Sequence, residues 1–411
     1  MHRFLIIVAL LGMPAAHADV IVDWNLRANA AMVAEGPRVA SNPLAMSRTL
    51  AIMHLAMSDA INACDPAFTT YLPDLPRRPG ASTLAAAHTA AEAVLVALYP
   101  KQRGAIEPYY LAALATLRDG AAKTAGIEVG AQVAHQLLAR REDDGTFDSV
   151  DTYRPATAPG SYVPTGLPVV SNVAFRKPFL LRDNAQFRPG PPPSLLSEHW
   201  ARDFNETKKW GAANSPRRDA AQTEAARFWE QLGPPAWNQV ARSLSSGQAL
   251  PLSDNARVFA LLNAAMFDSY LAIFDAKYHY NFWRPITAIR NGDQDGNPAT
   301  DRDASWKPLI DTPPHPEYPC AHCAADGAAG TVLRSVYGSG TVHFMVVFTA
   351  MPGIARQYQS FQQMQDDIFM ARIWGGVHFR NSNEVGEALG AKVGAYVLNT
   401  GLRRATPQQS R

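Results

Sequence analysis

Apolar residues in this chain recur mostly at spacings of three and four, the period of an amphipathic helix rather than the alternation of a strand. Around 43–64, Leu50, Met53, His54, Met57 and Ile61 fall on one face. Asn42-Pro43 supplies an N-cap and a proline at the first helical position, and Asp65-Pro66 stops the helix. The same pattern predicts helices near 82–98, 101–117, 119–142, 196–212, 217–231, 234–247, 253–290, 320–337, 355–373 and 382–399. Strand signals are sparse, and there is no internal repeat or low-complexity tract. The expected fold class is all-α, helical bundles joined by long Pro/Gly-rich loops.

Two stretches break the helical pattern. Residues 144–195 carry nine prolines, and 291–318 carry Gly292, Gly296, Pro298, Pro308, Pro313, Pro314 and Pro316. Irregular connections this long inside a helical protein are uncommon and often line functional sites. The first reads equally as a linker between two helical lobes or as a functional loop. The expected organisation is an N-terminal helical region over 19–195 and a C-terminal catalytic region over 196–411.

The first 18 residues stand apart. Arg3, an apolar run from Phe4 to Met13 and the small-x-small sequence Ala16-His17-Ala18 form a secretory signal peptide. Export to the periplasm or the medium follows, and no later run of uninterrupted apolar residues is long enough to predict a membrane span. A formal net charge of +2 over 411 residues excludes a nucleic-acid binder relying on bulk positive charge. Three cysteines are too few for a disulfide scaffold.

Candidate chemistry concentrates in the last third. Lys277 and Arg284 lie seven residues apart, close to two helical turns, amid Tyr278, Tyr280, Phe282 and Trp283. Two cations on an aromatic face are costly to bury without an anion. Pro319 precedes Cys320-Ala321-His322-Cys323 and a run of small residues, the signature of a closely packed helix N-terminus. Free N–H groups there favour an anion, and His322 on the first turn is a candidate general acid or base. Arg372 precedes His378 by six residues, with Gly375-Gly376 between them to allow a sharp bend. Three cations, helix N–H groups and two imidazoles together suit a tetrahedral oxyanion such as phosphate or vanadate.

These motifs resemble the superfamily of vanadium-dependent haloperoxidases and type 2 phosphatidic acid phosphatases. The superfamily pattern K-x6-R-P, P-S-G-H and S-R-x5-H-x3-D is matched in order and spacing by Lys277-x6-Arg284-Pro285, Pro319-Cys320-Ala321-His322 and Ala371-Arg372-x5-His378-x3-Ser382. The wider helical layout is similar to the bacterial haloperoxidase-like branch. The resemblance implies that Lys277, Arg284, Arg372, Cys320 and Ala321 bind the oxyanion, that His322 is the acid–base residue, and that His378 ligates vanadium or attacks phosphorus. The implied cofactor is vanadate, with hydrogen peroxide and halide as substrates. A phosphate ester, cleaved through a phosphohistidine at His378, is the alternative, and a non-enzymatic oxyanion-binding protein is a third reading. His315, seven residues before His322, resembles a second site histidine of vanadium bromoperoxidases.

Three positions depart from the pattern. Cys320 replaces the family Ser and Ala321 the Gly, and a thiol is the weaker hydrogen-bond donor. Cys320 and Cys323 are candidates for a disulfide in an exported protein. Ser382 replaces the Asp that would accept from the second nitrogen of the histidine. Ser382, Asn381 or Asn383 is left to orient His378, or Ser382 caps the last helix.

Overall fold

The structure is a computed structural model describing residues 19–144, 153–231, 233–248 and 250–405. Residues 1–18, where a signal peptide is expected, lie outside the described residues. The helices are α1 (Val20–Ala34), α2 (Pro37–Ala40), α3 (Pro43–Cys64), α4 (Thr83–Leu98), α5 (Arg103–Ala115), α6 (Ala121–Arg140), α7 (Glu198–Trp210), α8 (Ala220–Phe228), α9 (Gly233–Gly247), α10 (Leu252–Tyr280), α11 (Pro285–Arg290), α12 (Ala321–Tyr337), α13 (Phe361–Trp374) and α14 (Arg380–Thr400). The fold is mostly helical, as the periodicity predicts. Asn42 caps α3 as expected, its side-chain oxygen accepting from the N–H groups of Leu44 and Ala45.

Three expectations need correction. The helix predicted over 253–290 is two helices. Asn281 turns left-handed (φ 49°) to end α10, and Pro285, which has no N–H to donate, opens α11. The helix predicted from 355 begins only at Phe361. Before it, β1 (Phe344–Val347) and β2 (Ala355–Tyr358) pair antiparallel, with Phe344 opposite Tyr358. Phe344 and Val346 are buried and Met345 and Val347 are exposed, a period of two within a segment too short to stand out. Finally, α1 was not predicted, although Asp19 caps it and Trp24, Ala28, Ala31 and Met32 form its buried stripe.

α10 lies at the centre, packed by α3 on one side and by α12 and α14 on the other. Among the described residues it is the one helix long and apolar enough to cross a membrane, and 94% of its most apolar window is buried inside the bundle. One hydrophobic core draws on residues from Val20 to Leu402. A second, aromatic cluster of Trp200, Phe204, Phe282, Trp283, Trp306, Tyr318 and Phe379 lies beneath the candidate site.

α12 and α14 meet along a glycine seam. A Cβ at Gly390 would lie 1.9 Å from the Ala324 carbonyl oxygen, and one at Gly386 would lie 2.5 Å from that of Cys320. The contact is backbone against backbone, so no side chain can yield. It fixes the start of α14 against the first turn of α12, where Cys320 N–H donates to Ser382 O at 2.9 Å.

Gly390→Ala should therefore lower the unfolding free energy by about 3 kcal/mol in urea denaturation, as overpacking against rigid backbone does. Gly104→Ala in α5, where a Cβ meets nothing within 4 Å, should leave it unchanged or slightly raised.

Candidate active site

Five chain segments converge at one end of the bundle: the last turn of α10, the start of α11, the loop 310–319, the first turn of α12 and the α13–α14 junction. Lys277 is completely buried in the last turn of α10. Its Nζ donates to Pro316 O at 2.9 Å and Glu317 O at 2.8 Å. Burial, reinforced by the neighbouring Arg284 charge, pushes this ammonium well below its ordinary range.

Arg284 stands just beyond the Asn281 break, at the N-cap of α11, and is also fully buried. Its Nε donates to His315 O at 2.8 Å and its Nη1 to Val377 O at 2.8 Å. The same guanidinium reaches two imidazoles, His315 Nδ1 at 2.9 Å and His378 Nε2 at 3.2 Å. Arg372, in the last turn of α13, donates from Nη1 to Trp229 O at 2.8 Å. Among the described residues its buried Nε–H has no acceptor.

His378 follows a bend that only glycine can make. Gly376 sits at φ +74°, and a Cβ there would lie 2.4 Å from the Gly211 carbonyl oxygen. α7 holds the backbone from the other side, with the Thr207 hydroxyl donating to His378 O at 3.1 Å. The next residue, Phe379, is wedged edge-on against Trp200 at 4.8 Å.

The partner of His378 is one that sequence reading missed. Its Nδ1 lies 2.7 Å from Oε1 of Glu317, a fully buried carboxylate in the loop before α12. The same oxygen accepts from the Phe379 N–H at 3.0 Å. Of the polar residues expected to orient His378, none does so through its side chain. Asn381 N–H donates to Asp203, the Asn383 side-chain amide donates to Phe369 O, and the Ser382 hydroxyl donates weakly to Glu317 O. Nor does Ser382 cap α14, since Phe379 occupies the N-cap. Glu317 thus does what the family Asp does, from a different element and 61 residues away.

These contacts fix the tautomer of His378 from both sides. Arg284 can only donate, so Nε2 must be the bare nitrogen. Nδ1 then carries the proton and gives it to the Glu317 carboxylate. Burial, with Arg284, Lys277 and Arg372 nearby, keeps His378 neutral by pushing its pKa well below the usual value. Burial raises the Glu317 carboxyl to about 7, while Lys277 and Arg284 hold it back from rising further.

His322 lies on the first turn of α12. Its Nε2 is 3.3 Å from Gln231 O, which leaves Nδ1 as the free nitrogen. Burial and Arg372 depress its pKa, so it is neutral until an anion offsets the cations. Cys320 is the N-cap of α12, its sulfur accepting from Cys323 N–H at 3.4 Å where a serine hydroxyl would serve in the family pattern. The candidate disulfide is not formed here: Cys320 and Cys323 are both free, buried thiols.

Ala321, His322, His315, Arg372 and His378 line a single cavity of about 520 Å³. Lys277 and Arg284 lie behind its wall, joined to His315 and His378 by the hydrogen bonds described above. Both proline-rich stretches reach this cavity, because Val169, Val170 and residues 310–315 form part of its wall. Val169 N–H donates to Pro314 O at 3.0 Å and the Thr165 hydroxyl to Thr312 O at 3.2 Å. The first stretch is therefore a wall of the site and not only a connection between lobes.

The geometry defines a class: a helical bundle with an oxyanion-type cradle of three buried cations and a carboxylate-oriented histidine. Comparison with known proteins makes the class specific. Residues 257–405 match the family model of the second helical-bundle domain of vanadium chloroperoxidase. A curated relative, the vanadium chloroperoxidase of Curvularia inaequalis, is 28% identical over 152 residues, which is 31% of this chain and 24% of that protein. The matched part thus spans about a quarter of that relative's length. The fold is shared with a bacterial vanadium-dependent iodoperoxidase at TM-score 0.77 and 22% identity, covering 96% of this chain and 99% of the other. It is also shared with a bacterial vanadium-dependent chloroperoxidase in its apo form at TM-score 0.71 and 17% identity, covering 87% and 93%. Residues 257–405 thus match the second-bundle model of vanadium chloroperoxidase, and the chain as a whole shares the fold of these bacterial vanadium-dependent haloperoxidases.

Glu317→Gln should weaken binding of orthovanadate, used as a tetrahedral oxyanion probe, by about 10–100-fold, the usual effect of losing the carboxylate behind a ligating histidine. Calorimetric titration measures it, and an unchanged dissociation constant would remove Glu317 from the site.

Proposed function

We propose that this chain is an exported vanadium-dependent haloperoxidase that oxidises halide with hydrogen peroxide. The observation that carries the reading is the state of His378: neutral, with Nδ1–H committed to Glu317 and a bare Nε2 among Lys277, Arg284 and Arg372. The donor set was tested against vanadate on its chemistry. A cationic metal calls for several His, Cys, Asp or Glu ligands, and among the described residues no such cluster exists. An anion calls for positive donors and one ligating nitrogen, which are present. The unpartnered Arg372 Nε–H is a donor waiting for such an acceptor.

Lys277, Arg284, Arg372 and the first turn of α12 would hold the oxyanion, with His378 Nε2 as the ligand. When bound, vanadate supplies a Lewis-acid centre that activates peroxide toward halide. The protein's own contribution is electrostatic and protonic. The three cations spread negative charge that develops on oxygen. Their field eases once the anion is in place, which raises the basicity of His322, and its Nδ1 then takes and returns a proton. Glu317 keeps His378 in one tautomer throughout. His315 holds Arg284 and faces the cavity, where it can influence the choice of halide.

A second reading, an exported phosphatase of the same superfamily, is favoured by one observation. Glu317 restores the charge that Ser382 in place of Asp removes, so His378 has the support a nucleophile toward phosphorus needs.

Purified mature protein should brominate a phenolic dye with bromide and peroxide after loading with orthovanadate and not before. His378→Ala should reduce this to background. No bromination, together with hydrolysis of p-nitrophenyl phosphate at mildly acid pH that His378→Ala abolishes, would replace the first reading with the second.

A further inference from the structure

Cys320 is left unexplained by either chemistry. A peroxidase has reason to avoid a thiol in its cradle, because thiolates react with peroxide. The surroundings of this thiol make it more reactive rather than protecting it. Cys320 and Cys323 occupy the N-cap and third helical positions of α12, one turn apart on the same face. The Cys323 N–H points at the Cys320 sulfur at 3.4 Å, and the helix N-terminus favours negative charge there. The neighbouring Cys323 thiol, Arg372 and Lys277 all favour the ionised form of this sulfur. Together these outweigh burial and bring the Cys320 thiol down to about 7, whereas burial and its neighbour keep Cys323 protonated. The pair is asymmetric, one sulfur suited to attack and the other poised as a proton-bearing partner in contact with it. Cys64, beside Asp65, is pushed up to about 11 and serves as an internal contrast. Cys320 itself is buried, but the two residues after it, Ala321 and His322, line the cavity that peroxide would enter.

We propose that Cys320 is an oxidative modification site: hydrogen peroxide oxidises its thiolate, and Cys323 closes the product to an intrahelical-turn disulfide. In the first step the Cys320 sulfur attacks one peroxide oxygen. An S–O bond forms, the O–O bond breaks, and hydroxide leaves with the electron pair and is protonated to water. Sulfur is oxidised by two electrons and peroxide is reduced. In the second step the Cys323 sulfur displaces the hydroxyl from the Cys320 sulfenic acid. The S–S bond forms, the S–O bond breaks, and the hydroxyl leaves as water with the Cys323 proton. An added dithiol reduces the disulfide back to the two thiols by exchange and is itself oxidised to a disulfide. No bound oxyanion is needed, so the proposal goes beyond the haloperoxidase reading and survives or fails apart from it.

The test uses the full mature chain, reduced, desalted and free of vanadate. Peroxide is added in small molar excess and quenched with catalase. The protein is then unfolded and alkylated, and alkylated sites are located by mass spectrometry. Wild type should lose two of its three alkylation equivalents, retain alkylation at Cys64, and recover both after dithiothreitol. Cys323→Ser should stop at a sulfenic acid on Cys320 that dimedone labels. Cys320→Ser, which restores the family residue, should leave Cys323 fully alkylated. Three alkylated cysteines in peroxide-treated wild type would overturn the proposal. So would oxidation of Cys64 in step with the pair, or dimedone labelling on Cys323 rather than Cys320.

Discussion

Three cations buried within one bundle end set the terms for everything around them. Lys277, Arg284 and Arg372 are removed from water, at a desolvation cost on the order of several kcal/mol each if left uncompensated. Backbone carbonyls of Pro316, Glu317, His315, Val377 and Trp229 each take one of their N–H groups. Those carbonyls belong to loops and helix ends, whose oxygens are not committed to helix ladders. The irregular path of 312–319 is therefore the counterpart of the buried charge. A helix in its place would have spent the same oxygens internally.

Glu317 is the carboxylate among these cations, and it joins the electrostatic and the geometric sides of the site. Its backbone oxygen accepts from Lys277, and its side chain accepts from His378 and the Phe379 N–H. A single loop residue thereby neutralises part of the positive field, selects one imidazole tautomer and fixes the direction of the chain entering α14. The aromatic cluster below, with Trp200 against Phe379, keeps that direction from relaxing.

What the sequence made legible follows from how far each signal travels along the chain. The helices rest on local periodicity and capping, and Asn42 or the glycines after Cys320 announce them within a few residues. Lys277, Arg284, His322, Arg372 and His378 were legible as a spaced pattern, because each cation or imidazole sits at a helix end fixed by nearby Pro or Gly. Glu317 was not, since its role depends on a residue 61 positions away and on a fold that brings them together. Ser382 misled for the same reason: the motif places a partner four residues beyond His378, whereas the fold supplies it from another loop. The α10–α11 break was readable in Pro285, but the apolar stretch on both sides concealed it. β1 and β2 are four residues each, below the length at which alternation separates from chance.

The position of α10 bears on how the chain reaches this state. Its 29 residues form the one described helix long and apolar enough to cross a membrane, yet its cover comes from both directions, from α3 before it and from α12 and α14 after it. During synthesis, α3 and α10 can meet early, but the other flank is covered only as α12 and then α14 arrive. For that interval the growing chain displays a surface that invites aggregation. Delayed closure of the core also delays assembly of the cradle, whose last members, Arg372 and His378, lie next to α14. The chain therefore completes its cradle and the cover of its central helix in the same late step.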